Sequence, residues 1–158
     1  MPLNKLANDL LENKILWIVL ISWSVAQILK FVTELVRYRQ INIARMISSG
    51  GMPSSHTSLV TSLATAVGLK AGFDSVAFAV CVVLSMVVMY DAAGVRRAAG
   101  KQAEVLNQIV SGENAGWFGI NLDKELKELL GHSPLEVAAG AALGIAIALI
   151  FLIVSPYV

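Results

Sequence analysis

The sequence predicts an all-α, polytopic membrane helix bundle with about four transmembrane helices and short amphipathic ones. Composition is the first reason: of 158 residues, 56% are apolar and 15% charged, with a mean hydropathy of +0.71. Soluble domains usually carry about 45–50% apolar and about 25% charged residues. Segmentation is the second, because four apolar runs approach the ~20 residues that a bilayer core demands of a helix. Size is the third: a chain this short is one domain by length. A large soluble enzyme with its own cofactor domain is excluded, and a channel or carrier would have to oligomerise. The net charge of +1 gives no polyelectrolyte character, so no nucleic-acid partner is expected.

Taken in order, residues 3–13 place Leu3, Leu6, Leu10 and Leu11 on one helical face, as an interfacial helix does. The apolar run that follows is too long for the core of a signal peptide and lacks a small-residue cleavage site, so it reads as a retained anchor. It forms a first span over about 15–36, in which Trp17 and Trp23 are interfacial or packing aromatics. A polar connection ends in GGMPSSH, whose glycines and proline break any helix.

A second span, about 54–72, has a density of Ser and Thr that points to helix packing in lipid. After a turn at Phe73, Asp74 and Ser75, a third span covers about 75–91 and is expected to stop at Asp91. Cys81 lies in this run as a small buried hydrophobe. A polar insert, 92–131, contains two amphipathic stretches, KQAEVLNQIV and INLDKELKELL, around a loop bearing Trp117 and Phe118. The last span covers about 135–154.

Four spans put both termini on one side and the segments 37–52 and 92–131 on the other. That second side carries Arg37, Arg39, Arg45, Arg96, Arg97, Lys101, Lys124 and Lys127, against Lys5, Lys14 and Lys70 opposite. The positive-inside rule makes it cytoplasmic, in a cell (plasma) membrane.

Ionisable residues in or at the ends of spans are costly and mark function by default. Lys30, Arg37, Arg39, His56, Asp91, Arg96, His132 and Glu136 gather toward that same face. A cationic pocket with two imidazoles at headgroup depth suits a phosphate. In GGMPSSH, Gly51 allows close backbone approach to an anion, and Ser54 and Ser55 supply hydroxyl and amide donors at a helix N-terminus. An ordinary N-cap serine explains the same residues. In GHSPLEV, Ser133 is a good N-cap, Pro134 suits the first helical position and Glu136 completes a capping box. That reading leaves His132 over, four residues before a carboxylate able to fix its tautomer, as in an activated nucleophile or base. Gly140 and Gly144 are spaced for a close helix contact.

These residues resemble the divergent membrane branch of the type 2 phosphatidic acid phosphatase and vanadium haloperoxidase superfamily. Lys30 and Arg37 reproduce the spacing of its first motif, with Tyr38 in place of the proline and Arg39 a rival for the arginine. Pro53, Ser54, Ser55 and His56 match the second motif, with serine for glycine. His132 and Glu136 match the end of the third, with glutamate for aspartate; its arginine is Arg96 or Arg97, separated from them by the insert, and Arg96 fits better.

The resemblance implies a metal-independent phosphatase with no cofactor. His132 would be the nucleophile and Glu136 its stabiliser, while His56 serves as acid and then base. Lys30, Arg37 or Arg39, Arg96, Gly51 and the Ser54/Ser55 loop would hold phosphate oxygens, with Asp91 orienting Arg96. The expected substrate is a phospholipid or isoprenoid phosphate: phosphatidylglycerophosphate or phosphatidate for a cytoplasmic pocket, undecaprenyl diphosphate for a reversed topology. A non-catalytic lipid-headgroup binder and a small transporter subunit are the readings from other classes. A homodimer would help four short spans close a lipid-sized pocket.

Overall fold

A computed structural model describes residues 3–39, 51–111, 126 and 130–154. Among these, every regular element is helical: α1 (Leu3–Leu11), α2 (Lys14–Tyr38), α3 (Ser55–Ala71), α4 (Val76–Tyr90), a π-turn (Asp91–Val95), α5 (Arg96–Ser111) and α6 (Pro134–Val154). The segments Lys14–Val36, Val76–Ile109 and Pro134–Val154 are long and apolar enough to cross a membrane. The chain is an all-α membrane helix bundle.

The amphipathic N-terminal helix, α1, exposes Leu6, Leu10 and Leu11. Its corner with α2 is built locally. The Asn13 side chain caps α2 by accepting from the Leu16 amide at 3.1 Å, and the Trp17 indole donates to the Leu11 carbonyl at 2.9 Å. Trp17 is thus an exposed aromatic at the corner, with its polar edge satisfied.

The centre of the bundle is α3, which packs against α2, α4 and α6. At 17 residues it spans about 25 Å. Ser55, Thr57, Ser58, Thr61 and Ser62 are buried, since lipid offers no hydrophobic force between helices and polar contacts and close packing must supply it. Ser58 Oγ pairs with Ser22 Oγ of α2 at 2.7 Å, Ser85 of α4 donates to the Val60 carbonyl at 3.0 Å, and Thr61 donates to the Ala141 carbonyl of α6 at 3.3 Å. Gly140 and Gly144 let α6 approach: a Cβ on Gly140 would collide with the Ser54 carbonyl, and one on Gly144 with Thr61 Oγ1 and the Ser58 carbonyl.

The expected turn at Phe73–Ser75 is present, with Gly72 at φ 95° and the Ser75 hydroxyl capping α4 by accepting from the Phe78 amide at 3.1 Å. The expected stop at Asp91 is not. Asp91 keeps its amide bonded to Val87 and Val88, and the helix passes through the π-turn into α5. The reason is local: DAAGVRRAAGKQA contains no proline, its alanines favour helix, and Gly94 alone does not end one. The 34 apolar-to-amphipathic residues Val76–Ile109 amount to about 51 Å of rod. That exceeds the ~30 Å hydrocarbon core, so an upright rod of this length would extend past it.

The second amphipathic stretch, INLDKELKELL, lies outside the described residues apart from Leu126 and Leu130, as do Trp117 and Phe118. Leu126 is held to α5 by Asn107, whose amide donates to its carbonyl and accepts from its N–H, both at 2.9 Å.

Candidate functional site

The C-terminal half of α2, the N-terminus of α3, the π-turn and the N-terminus of α6 meet at one end of the bundle. The Ser133 capping box forms there as the sequence predicts. The Ser133 amide donates to Glu136 Oε2 at 3.0 Å, and the Glu136 amide donates to Ser133 Oγ at 3.3 Å. The same Oε2 faces His132 Nδ1 at 3.1 Å. Since a carboxylate only accepts, Nδ1 carries the proton and Nε2 keeps its lone pair. That Nε2 is buried and has no hydrogen-bond partner among the described residues, in a side chain 2% exposed. A buried acceptor left open costs about 1–3 kcal/mol, so this position calls for an atom to complete it.

Burial lowers the His132 pKa from its ordinary 6.5; contact with Glu136 opposes the shift, while Lys30 and His56 add to it. The neutral imidazole is therefore favoured, the form with a nucleophilic nitrogen. The His56 ring stands with its centroid 6.3 Å from that of His132 and the two planes at 61°. Lys30 is buried, within electrostatic reach of Glu34 and Glu136. Arg96, Lys30 and Asp91 lie within electrostatic reach of His56. Lys30, His56, Asp91, Arg96, His132 and Glu136 thus form one cluster of ionisable groups.

The loop before α3 is fastened on two sides. Thr33 of α2 donates to the Met52 carbonyl at 2.7 Å, and the Ser54 amide donates to the Glu136 carbonyl at 3.0 Å. Gly51, at φ 101°, lies against the Lys30 stem, where a Cβ would come within 2.7 Å of Cε. Ser54 is fully buried, and its Oγ accepts from the Thr57 amide at 3.4 Å and the Thr57 hydroxyl at 3.1 Å. With its amide spent on Glu136 and its hydroxyl capping α3, Ser54 holds the loop, and its hydroxyl proton is the donor it still has. Ser55 and His56 open α3, where amides and the helix dipole favour an anion.

Arg96 pairs with Asp91 across the π-turn, both side chains partly exposed. Arg97 contributes its backbone, which lies beneath Gly131. Arg39 is exposed and caps α2 at φ 52°, donating its amide to the Leu35 carbonyl at 2.9 Å. Arg37 belongs to the last turn of α2, and its side chain lies outside what is described. Among the described residues no group of three or more His, Cys, Asp or Glu could hold a metal ion.

The sequence does not single out Thr33, Ala92 or Gly131. Gly131 sits at φ 86°, and the Ala92 carbonyl accepts the His132 amide at 2.8 Å. A glycine just outside a capping box was the available signal for the first of these two; nothing local marks the carbonyl.

An all-α membrane bundle with a histidine pair, a lysine and an ion-paired arginine at one end is the class that fold and site define. The chain belongs to the Divergent PAP2 family, whose model matches residues 11–147 and so includes every residue of the cluster. It is 42% identical over 134 residues to the uncharacterized membrane protein YuiD of Bacillus subtilis (strain 168), covering 79% of this chain and 85% of that one. No solved structure matches.

Proposed function

We propose that the protein is a lipid-phosphate phosphatase working through a phosphohistidine on His132. The observation that carries this reading is the asymmetry of the His132 ring: Nδ1 bound to Glu136 and Nε2 buried and open, beside His56 and Lys30. A nucleophile oriented by one partner and left unpaired at its reacting atom is arranged for in-line attack.

In the first step the Nε2 lone pair forms an N–P bond while the P–O bond to the lipid alcohol breaks, and His56 gives its proton to the departing oxygen. The ring becomes an imidazolium whose charge Glu136 offsets. In the second step His56, now neutral, takes a proton from water, the hydroxide oxygen bonds to phosphorus and the N–P bond breaks, returning neutral His132. Lys30, Arg96 and the amides at the start of α3 balance the charge on the phosphoryl oxygens, the electrostatic share of phosphoryl transfer. Arg37 or Arg39 adds to them from the end of α2. No metal or cofactor takes part in this scheme.

The positive side of the bundle faces the cytoplasm in this reading, which favours a phosphomonoester made in the inner leaflet, such as phosphatidylglycerophosphate or phosphatidate. Reversed, the same pocket would meet undecaprenyl diphosphate. Phosphate release from each of these lipids by protein in lipid nanodiscs is the test. Release from at least one is expected, reduced to background by His132→Ala and by roughly 100- to 10,000-fold by His56→Ala. Full retention of turnover in folded His132→Ala would contradict the reading. Lipid binding without turnover would point instead to a headgroup-binding protein.

A further inference from the structure

His132 lies outside any helix, so the aim of its ring depends on how the main chain around it is held. Two backbone features do the holding. The Arg96 amide bonds to the Asp91 carbonyl, one residue further back than α-helical pairing. In an α-helix that amide would take the Ala92 carbonyl; here the Ala92 carbonyl instead accepts the His132 amide at 2.8 Å. Gly131, at φ 86°, lies directly on the helix: an added Cβ would collide with the Arg97 nitrogen and stand 2.6 Å from Arg97 Cα and 2.8 Å from the Arg96 carbonyl carbon. A side chain has neither the conformation nor the space for that position.

We infer that the π-turn at residues 91–95, the Ala92 carbonyl and Gly131 form the positioning device for His132. The turn diverts the Arg96 amide and so frees the carbonyl that anchors His132, and the bare glycine admits the chain to within bonding distance. π-Turns are single inserted residues in α-helices and occur often at functional sites. The same turn carries the Asp91–Arg96 pair, so one element sets both the ring and the arginine. The catalytic consequence rests on the phosphatase reading; the structural one rests on backbone geometry alone.

The test joins amide hydrogen exchange with kinetics on the full chain in nanodiscs. In the unmodified protein the His132 amide is expected to exchange far more slowly than an unstructured amide; exchange at the unstructured rate would overturn the inference without any variant. Deleting Ala93 restores α-helical pairing, and Gly131→Ala adds the excluded methyl. Gly131→Asn tolerates the left-handed backbone but still brings a Cβ. All three are expected to lose the protection and to lower kcat about 100-fold, the usual cost of misplacing a reacting group by ~1 Å. For the two Gly131 variants KM should stay within about threefold, since the substrate's own contacts are kept; deleting Ala93 also moves Arg96, so KM is expected to rise there as well. Lys101→Ala, at an exposed position of α5 outside the turn, should match the unmodified protein. Folded variants that keep both protection and kcat would overturn the device. A protected amide in a protein that releases no phosphate from any of the three lipids would sink the phosphatase reading and leave the device standing.

Discussion

The two ring nitrogens of His132 have opposite surroundings, and that contrast separates chemistry from capping at Glu136. Glutamine serves in a capping box as well as glutamate does. Glu136→Gln should therefore leave α6 started and the thermal midpoint nearly unchanged. An amide can present its N–H to Nδ1, which pushes the ring toward the wrong tautomer; such a swap in a comparable arrangement costs roughly 10,000-fold in turnover. A large kcat loss at constant stability is the expected outcome, and an equal loss of both would reduce Glu136 to a cap.

Titration gives a second check at this scale. The His132 pKa lies below 6.5 when folded because burial disfavours its charged form, and returns to that ordinary value in the unfolded chain. Between the two values the unfolded chain binds more protons. This contribution to stability is therefore complete above about 6.5 and is lost as pH falls through the folded value. Nitrogen chemical shifts of His132 should show a ring more neutral than protonated at pH 6.5, and a ring half or more protonated there would contradict the geometry.

Among the elements, α3 shows what the sequence could and could not convey. Its hydroxyl density predicted packing, and Ser22–Ser58, Ser85–Val60 and Thr61–Ala141 are the contacts that result. A Ser22→Ala/Ser58→Ala cycle should give a coupling of about 0.6 kcal/mol, the usual size of such bonds in membranes. Gly144→Ala forces a methyl into Thr61 and the Ser58 carbonyl, and overpacking of this kind costs about 1–3 kcal/mol. Reversible unfolding in detergent reads both, and a neutral Gly144→Ala would show that α6 can shift.

Legibility follows the range of the cause. The Ser133–Glu136 box and the turn at Phe73–Ser75 were readable because caps act within four residues. The run through Asp91 was not: a π-turn carries no breaker, and the bond it frees, from His132 to Ala92, crosses forty positions of sequence. Likewise Ser54 was legible as a cap, whereas its amide bond to Glu136 depends on how α3 and α6 dock. The gathering of Lys30, His56, Arg96, His132 and Glu136 followed from topology, which needs only the order of the spans.

For the whole molecule, the proposed phosphatase reading makes orientation the property that decides which leaflet would supply substrate. With Cys81 replaced by alanine, a cysteine introduced at Lys101, an exposed position of α5, should react with an impermeant maleimide only from the cytoplasmic side. Labelling from outside would move the proposed substrate class to diphosphates of the outer leaflet.

The proposed covalent step at His132 is open to trapping. Protein in nanodiscs is mixed with lipid labelled in its terminal phosphate, quenched in alkali within the first turnover and mapped by mass spectrometry. Phosphate is expected on the ring of His132, absent from His132→Ala and accumulating in a His56 variant supplied with a substrate whose leaving group needs no proton. Turnover with phosphate on no histidine, or on His56 in its place, would contradict it.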